Sequence, residues 1–405
     1  MKVYLPEFIK GDIMINFVYH NPAKVAFGKG AIDNLENFFK ELKTTSVLLV
    51  YSGDFIKTLG IYDKVHDITA KNNIKLIENG DVVPNPSIEL VRKLVEEGRK
   101  NSVDLVLAVG GGSSIDTAKA TALGLKYDGD VWDYFVKDVV PDEVVNIGVI
   151  STLPSSGSET SNAAILSNGL FKKGFEDDKI IPKFAIMDPA YTLTLPAYQT
   201  AVGVADILAH LLERYFTDVE HVDITDYLIE GAIKSIVLNG RRIVKEPDNL
   251  DVRAEIQWTA TIAHNNLLDT GRVGDWASHR IEHELSAQYG ITHGEGMAVA
   301  LVAWTKYMAE AKPKKLAQLA NRILGIDYHD YTEKEMALFL SDRLKAFYGN
   351  DLKLATTLAE LNIGSEHFEE MALRATNNDT RPVGHYIPIN AEKFVDILKL
   401  AEPKA

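Results

Sequence analysis

Short branched-aliphatic runs alternate with helical periods through the first half of the chain, and that alternation restricts the fold more than any other feature of the sequence. Val47-Leu48-Leu49-Val50-Tyr51, Leu105-Val106-Leu107-Ala108-Val109 and Ile147-Gly148-Val149-Ile150 read as buried strands bounded by glycine or polar turns. Ile74-Lys75-Leu76-Ile77 and Phe184-Ala185-Ile186-Met187 are fainter strand candidates. Helical stretches separate them, such as Ser87 to Lys100 with Ile88, Leu90, Val91, Leu94 and Val95 apolar. Strands separated by helices pair in parallel and are covered on both faces, which predicts a doubly wound, Rossmann-like α/β domain. From about Leu195 the periodicity is almost wholly helical, and Thr332-x-x-Glu335 predicts a capping box ahead of Met336, Leu338 and Phe339. We therefore expect an α/β domain over 1–194 and an all-α domain over 195–405, two cores being the usual solution for a chain of 405 residues. An open parallel sheet binds ligands beyond the carboxyl ends of its strands, so the expected site is a cleft between the halves.

Composition removes several chemistries. The chain has no cysteine, which excludes disulfides, thiolate nucleophiles and cysteine-ligated zinc or iron–sulfur centres. Any metal must be held by His, Asp, Glu or backbone oxygen. The net charge of −14, with no dense basic run, argues against a nucleic-acid or anionic-membrane partner. No apolar run is long enough to span a bilayer, and Met1 to Asp12 has no apolar core of the kind a signal peptide needs. A cytoplasmic protein is the expectation.

Val109 is followed by Gly110-Gly111-Gly112-Ser113-Ser114 and then a helical stretch. Successive glycines let backbone approach a phosphate closely, and the helix start offers N–H groups and a partial positive charge. The plain alternative is a flexible strand–helix turn. In the loop Tyr51-Ser52-Gly53-Asp54-Phe55, Asp54 is placed to accept from adenosine ribose hydroxyls and to repel a 2′-phosphate; its plain alternative is a helix N-cap.

Of eleven histidines, four fall in a tight pattern in the helical half. Asp206-x-x-x-His210 and His279-x-x-x-His283 each place two side chains on one helix face, one turn apart, and His293 follows in Gly290-Ile291-Thr292-His293-Gly294. Two helices and one loop can thus aim a carboxylate and two or three imidazoles at one point, a donor set that suits Fe²⁺ or Zn²⁺. An isolated Asp/His pair is more commonly a surface contact, but the apolar neighbours Val202, Val204, Leu208, Ile281 and Leu285 give buried polar groups here a need for partners.

With both motifs in place, the sequence resembles the iron-containing alcohol dehydrogenase family, closest to its butanol dehydrogenase branch. The matching stretches include Asn21-Pro22-x-Lys24-Val25-x-Phe27-Gly28, Pro84-Asn85-Pro86, Gly110-Gly111-Gly112-Ser113-x-x-Asp116-x-x-Lys119 and Thr152-Leu153-Pro154-x-Ser156-Gly157-Ser158-Glu159. Asp188-Pro189, Asp206-x-x-x-His210 and Asp275-Trp276-Ala277-x-His279-x-x-x-His283-Glu284-Leu285 follow in order. The resemblance implies metal ligands at Asp206, His210, His279 and His293, with His283 as an additional histidine beside the metal. It implies pyrophosphate contacts at Gly111, Gly112 and Ser113, and further cofactor contacts at Thr152, Leu153, Ser156 and Lys172. It also implies a homodimer. The butanol dehydrogenase branch often carries consecutive glycines and a serine where this chain has Gly53, Asp54 and Phe55, so Asp54 tilts the expected cofactor from NADP to NAD. Met14-Ile15-Asn16-Phe17 resembles a typical family start, which leaves the first thirteen residues as an extension or a mis-assigned start.

The expected reaction interconverts short to medium-chain aldehydes and primary alcohols by hydride transfer with NAD or NADP, assisted by one Fe²⁺ or Zn²⁺. His283 has two readings, a relay for the alcohol proton or a packing residue of the metal site. A polyol dehydrogenase of the same fold is the nearest alternative, for which Arg272, Arg280 and Lys172 offer basic groups. A metal-dependent hydrolase or lyase is the alternative from another class.

Overall fold

The computed structural model describes residues 14–402; the question of an N-terminal extension over the first thirteen residues lies outside the described residues. The described chain forms two compact units, one of residues 20–195 with 264–266, the other of 14–19, 196–263 and 267–402.

The first unit is built on eight strands: β1 (Lys24–Phe27), β2 (Ser46–Tyr51), β3 (Lys75–Asn79), β4 (Leu105–Gly110), β5 (Asn146–Ser151), β6 (Ala163–Asn168), β7 (Phe171–Glu176) and β8 (Phe184–Met187). Its helices are α1 (Leu35–Leu42), α2 (Phe55–Thr58), α3 (Ile61–Lys71), α4 (Ile88–Lys100), α5 (Gly112–Leu125) and α6 (Asp133–Val136). Six strands form one parallel sheet in the order β1-β8-β5-β4-β2-β3. Side chains alternate across it: Leu48, Val50, Val106 and Ala108 pack with α4 and α5 on one face, Val47, Leu49, Leu105 and Leu107 with α1 and α3 on the other. Burial on both faces is why these strands read as unbroken aliphatic runs. Ser87 caps α4, its hydroxyl accepting from Leu90 N–H at 3.3 Å.

The sequence reading missed two features. Strand β1 is short and half exposed, and β6 with β7 makes a two-stranded antiparallel hairpin outside the main sheet. The hairpin turns at Gly169-Leu170, where Gly169 has φ 56°, a backbone that glycine tolerates; the Asn168-Gly169 dipeptide was its sequence signal.

The second unit holds α7 (Ala197–Tyr215), α8 (Asp223–Lys245), α9 (Leu250–His264), α10 (Ala277–Tyr289), α11 (His293–Ala311), α12 (Lys314–Leu319), α13 (Glu333–Ala346), α14 (Phe368–Ala375) and α15 (Ala391–Leu400). The last residue of α9, His264, packs with the first unit. Among the described residues after Leu195 there is no strand, only a single bridge between Val383 and Ile389. Helix α7 is buried without interruption from Ala201 to Tyr215 and packs against α8 and α11; α11 also packs against α10. The capping box at Thr332 is present, with Thr332 and Glu335 bonding reciprocally at the start of α13. No helix among the described residues is long and apolar enough to cross a membrane.

Candidate metal centre and nucleotide loops

In the first unit the chain leaves β2 toward β3 and leaves β4 toward β5, on the opposite side. Between the carboxyl ends of neighbouring strands whose connections diverge lies the crevice where sheets of this kind bind ligands. Two predicted loops leave from those ends. Gly111 and Gly112 pass directly from β4 into α5, whose first turn presents its N–H groups there. A Cβ on Gly111 would stand 2.9 Å from Leu153 Cδ2, and one on Gly112 would stand 2.8 Å from Ser156 Oγ. The glycines therefore let Leu153 and Ser156 pack closely on the loop, and they leave bare backbone at the helix start as well. The structure thus brings Gly111, Gly112, Leu153 and Ser156 together, with Ser113 one residue into α5 and Thr152 tied to Gly110 O at 3.1 Å.

Asp54 occupies the N-cap position of α2, yet its carboxylate does not cap the helix. It is exposed and pairs with Lys57 Nζ at 2.7 Å. Lys172 lies buried on β7, and its charge favours the ionised form of Asp116 on α5.

Residues quoted only for their motif prove to hold the segment that follows β5. Lys119, fully buried, donates to Ser158 Oγ at 2.9 Å, to Ser161 O at 2.8 Å and to Ala163 O at 2.8 Å. Asp116 accepts from Ser158 Oγ at 2.7 Å and from Ile165 N–H at 3.1 Å. Burial pushes the Lys119 ammonium down to about 8 and the Asp116 carboxyl up.

In the second unit three helices converge. Asp206 and His210 project from α7, His279 and His283 from α10, and His293 is the first residue of α11. Donor atoms of Asp206, His279 and His293 lie within 4.8 Å of one another. The His210 and His279 rings are 4.7 Å apart between centroids, His279 and His293 5.6 Å, and His283 and His293 5.8 Å. All five predicted residues thus form one cluster, buried except for the partly exposed His293.

The tautomers follow from the partners. His210 Nδ1 donates to Asp206 O at 2.9 Å, His279 Nδ1 to Glu213 Oε1 at 3.3 Å, and His293 Nδ1 to Glu282 Oε2 across a short contact. With the proton on Nδ1, each Nε2 carries the lone pair that a metal needs. Burial holds the His210 imidazole well below its usual range, and the neighbouring His279 adds to this, so it stays neutral. The carboxylates Asp206, Glu213 and Glu282 are all buried in this apolar bundle, where a divalent cation would offset their charge. One carboxylate oxygen and three imidazole nitrogens make a chemically suitable set for Fe²⁺ or Zn²⁺.

Glu213 and Glu282 were not found by the sequence reading. Glu213, on α7, also accepts from the backbone N–H of Trp276 at 2.7 Å and of His279 at 3.0 Å, so it caps α10 from outside. Trp276 precedes α10 with φ 64°, a strained conformation for a bulky residue, held in place by that bond. Next to it, burial and then the charge of Glu213 push the Asp275 carboxyl up to about 8.

Arg272 does not serve the role given it in the polyol alternative. Its guanidinium is wholly buried and engaged by Asp226 Oδ1 at 2.6 Å, Arg214 O at 3.0 Å and Val222 O at 3.2 Å. Arg280 is half-buried on α10. An open hollow of about 670 Å³ in the second unit, lined by Glu295, Lys345, Gly349 and Thr356 among others, includes none of the predicted site residues.

A parallel doubly wound sheet with a phosphate-type loop, together with an Asp/His centre in a helical bundle, defines a metal-dependent dinucleotide enzyme. Residues 22–189 match the iron-containing alcohol dehydrogenase family, and residues 200–401 match the C-terminal part of the Fe-containing alcohol dehydrogenase family. The chain belongs to the iron-containing alcohol dehydrogenase family. It is 39% identical over 389 residues to an NADH-dependent butanol dehydrogenase A of Clostridium acetobutylicum, covering 95% of this chain and 99% of that one. It is 36% identical over 318 residues to the NADPH-dependent aldehyde reductase YqhD of Escherichia coli, covering 77% and 81%. The crystal structure of an NADH-dependent butanol dehydrogenase A from Thermotoga maritima superimposes with a TM-score of 0.91 at 34% identity, over 97% of this chain and all of that one. The chain is accordingly an NAD(P)-dependent oxidoreductase of alcohols and aldehydes that works with a nicotinamide nucleotide and a metal.

Proposed function

We propose that this enzyme reduces short to medium-chain aldehydes to primary alcohols, and reverses the reaction, with NADH preferred over NADPH, one Fe²⁺ or Zn²⁺ per chain, and a cytoplasmic homodimer as its working form. The observation that carries the reading is the convergence of Asp206, His279 and His293 donors within 4.8 Å, with the His210 ring 4.7 Å from that of His279. Asp206, His210, His279 and His293 would hold the metal. When bound, the metal supplies Lewis acidity at the substrate oxygen and the nucleotide supplies the hydride.

The remaining work falls to the chain. Gly111, Gly112 and Ser113 would take the pyrophosphate on backbone and hydroxyl donors at the α5 start, fixing the nucleotide before reaction. Thr152, Leu153 and Ser156 border that loop, and the charge of Lys172 acts on Asp116 of α5. Asp54 would accept from the adenosine ribose, and the Asp54–Lys57 pair leaves Lys57 poorly disposed to a 2′-phosphate. His283, buried in the cluster, would hold the alcohol proton and pass it on. With Arg272 committed to Asp226, a polyol substrate loses one of the groups that favoured it.

The test is steady-state turnover of butanal by protein loaded with Fe²⁺ or with Zn²⁺, with NADH and NADPH in parallel. The reading expects metal-dependent turnover, a higher kcat/KM with NADH, and loss of both bound metal and at least about a thousandfold of the rate in His279→Ala. Full activity and full metal content in that variant would sink the assignment. Sedimentation of the native enzyme checks the dimer.

A further inference from the structure

Two possible donor triads overlap at His293: Asp206, His279 and His293, and Glu282, His283 and His293. Read only by proximity, they would allow two cations. The hydrogen bonds separate them. His293 turns Nδ1 to Glu282 Oε2 in a short contact and holds Nε2 3.5 Å from Asp206 Oδ1. A ring nitrogen that donates a proton to a carboxylate has no lone pair for a metal on the same side, so Glu282 fixes His293 with Nε2 toward Asp206. Glu213 treats His279 in the same way. It takes the Nδ1 proton at 3.3 Å and grips the same residue by its backbone N–H at 3.0 Å, with Trp276 N–H at 2.7 Å. Both glutamates are completely buried, and both come from helices that already carry ligands, α7 and α10.

We propose that Glu213 and Glu282 are positioning residues of a mononuclear centre: each clamps Nδ1 of one histidine, orients Nε2 and raises its basicity, and neither ligates the metal. The proposal rests on the metal reading given above. In His210 the acceptor for Nδ1 is the carbonyl of Asp206 at 2.9 Å, and that nitrogen also lies 3.4 Å from Asp206 Oδ1.

The experiment is a Zn²⁺ titration of the metal-free full-length enzyme against a chromophoric chelator, read as affinity and as moles bound per chain. The native enzyme is expected to bind one Zn²⁺. Glu213→Gln and Glu282→Gln, which keep shape and an accepting oxygen but lose the charge, should each weaken binding about tenfold, and the alanine variants up to about a hundredfold. A merely structural role would lower the melting temperature of the metal-free protein and leave the affinity of the folded protein unchanged. Should an alanine variant fail to fold, its glutamine counterpart decides. His279→Ala separates the two claims. If it loses Zn²⁺ while both glutamine variants bind as the native enzyme does, the positioning role is overturned and the metal site stands. If the native enzyme binds no Zn²⁺, or His279→Ala binds it undiminished, the metal reading fails and the proposal with it. Two Zn²⁺ per chain would make Glu282 a ligand and overturn the proposal directly.

Discussion

At the scale of single residues, the proposed preference for NADH rests on Asp54 and Lys57. The two side chains are exposed and paired at 2.7 Å, so a carboxylate is offered to ribose hydroxyls while the nearby ammonium is neutralised. Asp54→Gly removes the acceptor and releases Lys57 to a 2′-phosphate. The ratio of kcat/KM for NADPH over NADH should then rise about tenfold or more, each factor of ten being about 1.4 kcal/mol of differential binding. An unchanged ratio would place the selectivity elsewhere. Asp275 gives a second residue-scale outcome. Its carboxyl is raised from the ordinary 3.8 to about 8 by burial and by Glu213, so the folded state keeps a proton that the unfolded chain releases. That stabilisation is complete below about pH 4 and is lost as pH rises toward 8. Asp275→Asn should therefore gain stability relative to the native metal-free protein between pH 5 and pH 8, measured by urea unfolding; parallel pH profiles would contradict it. The choice of Asp206, His210, His279 and His293 as ligands came with the family resemblance, while the candidate cluster was legible because Asp206/His210 and His279/His283 sit one turn apart in apolar surroundings. Glu213 and Glu282 were not, although Glu213 follows Asp206 by two turns and Glu282 follows His279 by three residues. A glutamate on a helix is ordinarily solvated, and only the packing of α7 against α8 and α11, and of α10 against α11 and α14, turns these two inward.

Among the elements, legibility followed burial. Strands β2, β4 and β5 are covered on both faces and so announce themselves as aliphatic runs, whereas β1 is four residues long with exposed ends. Helix α5 is buried nearly all round, from Ser114 to Gly124, and so it lacks the apolar stripe that marks a surface helix such as α4. End signals were readable where a side chain satisfies orphan N–H groups, as at Thr332 in α13. Thr332→Ala removes the hydroxyl half of that box, the bond accepted from Glu335 N–H, and should cost about 0.5–2 kcal/mol in urea unfolding without altering kcat, since α13 carries none of the predicted site residues. A loss of activity at unchanged stability would show that α13 does more than support the bundle.

On the scale of the whole molecule, the chemistry is divided between two units: one offers a backbone cradle at the point where strand connections diverge, the other a buried set of acidic and imidazole donors. The absence of cysteine removes thiolate ligands, so a hard or borderline divalent cation in this chain is left with nitrogen and oxygen donors of this kind. A cation that binds only the folded state also stabilises it, so chelation should lower the melting temperature and added Zn²⁺ or Fe²⁺ should restore it. The most direct measurement is an anomalous difference map from crystals of the Zn²⁺-loaded enzyme, collected on both sides of the zinc edge. We predict one peak per chain, about 2.0–2.2 Å from an oxygen of Asp206 and from Nε2 of His210, His279 and His293. A peak held by other residues, or none at full Zn²⁺ loading, would contradict the metal centre on which the catalytic reading depends.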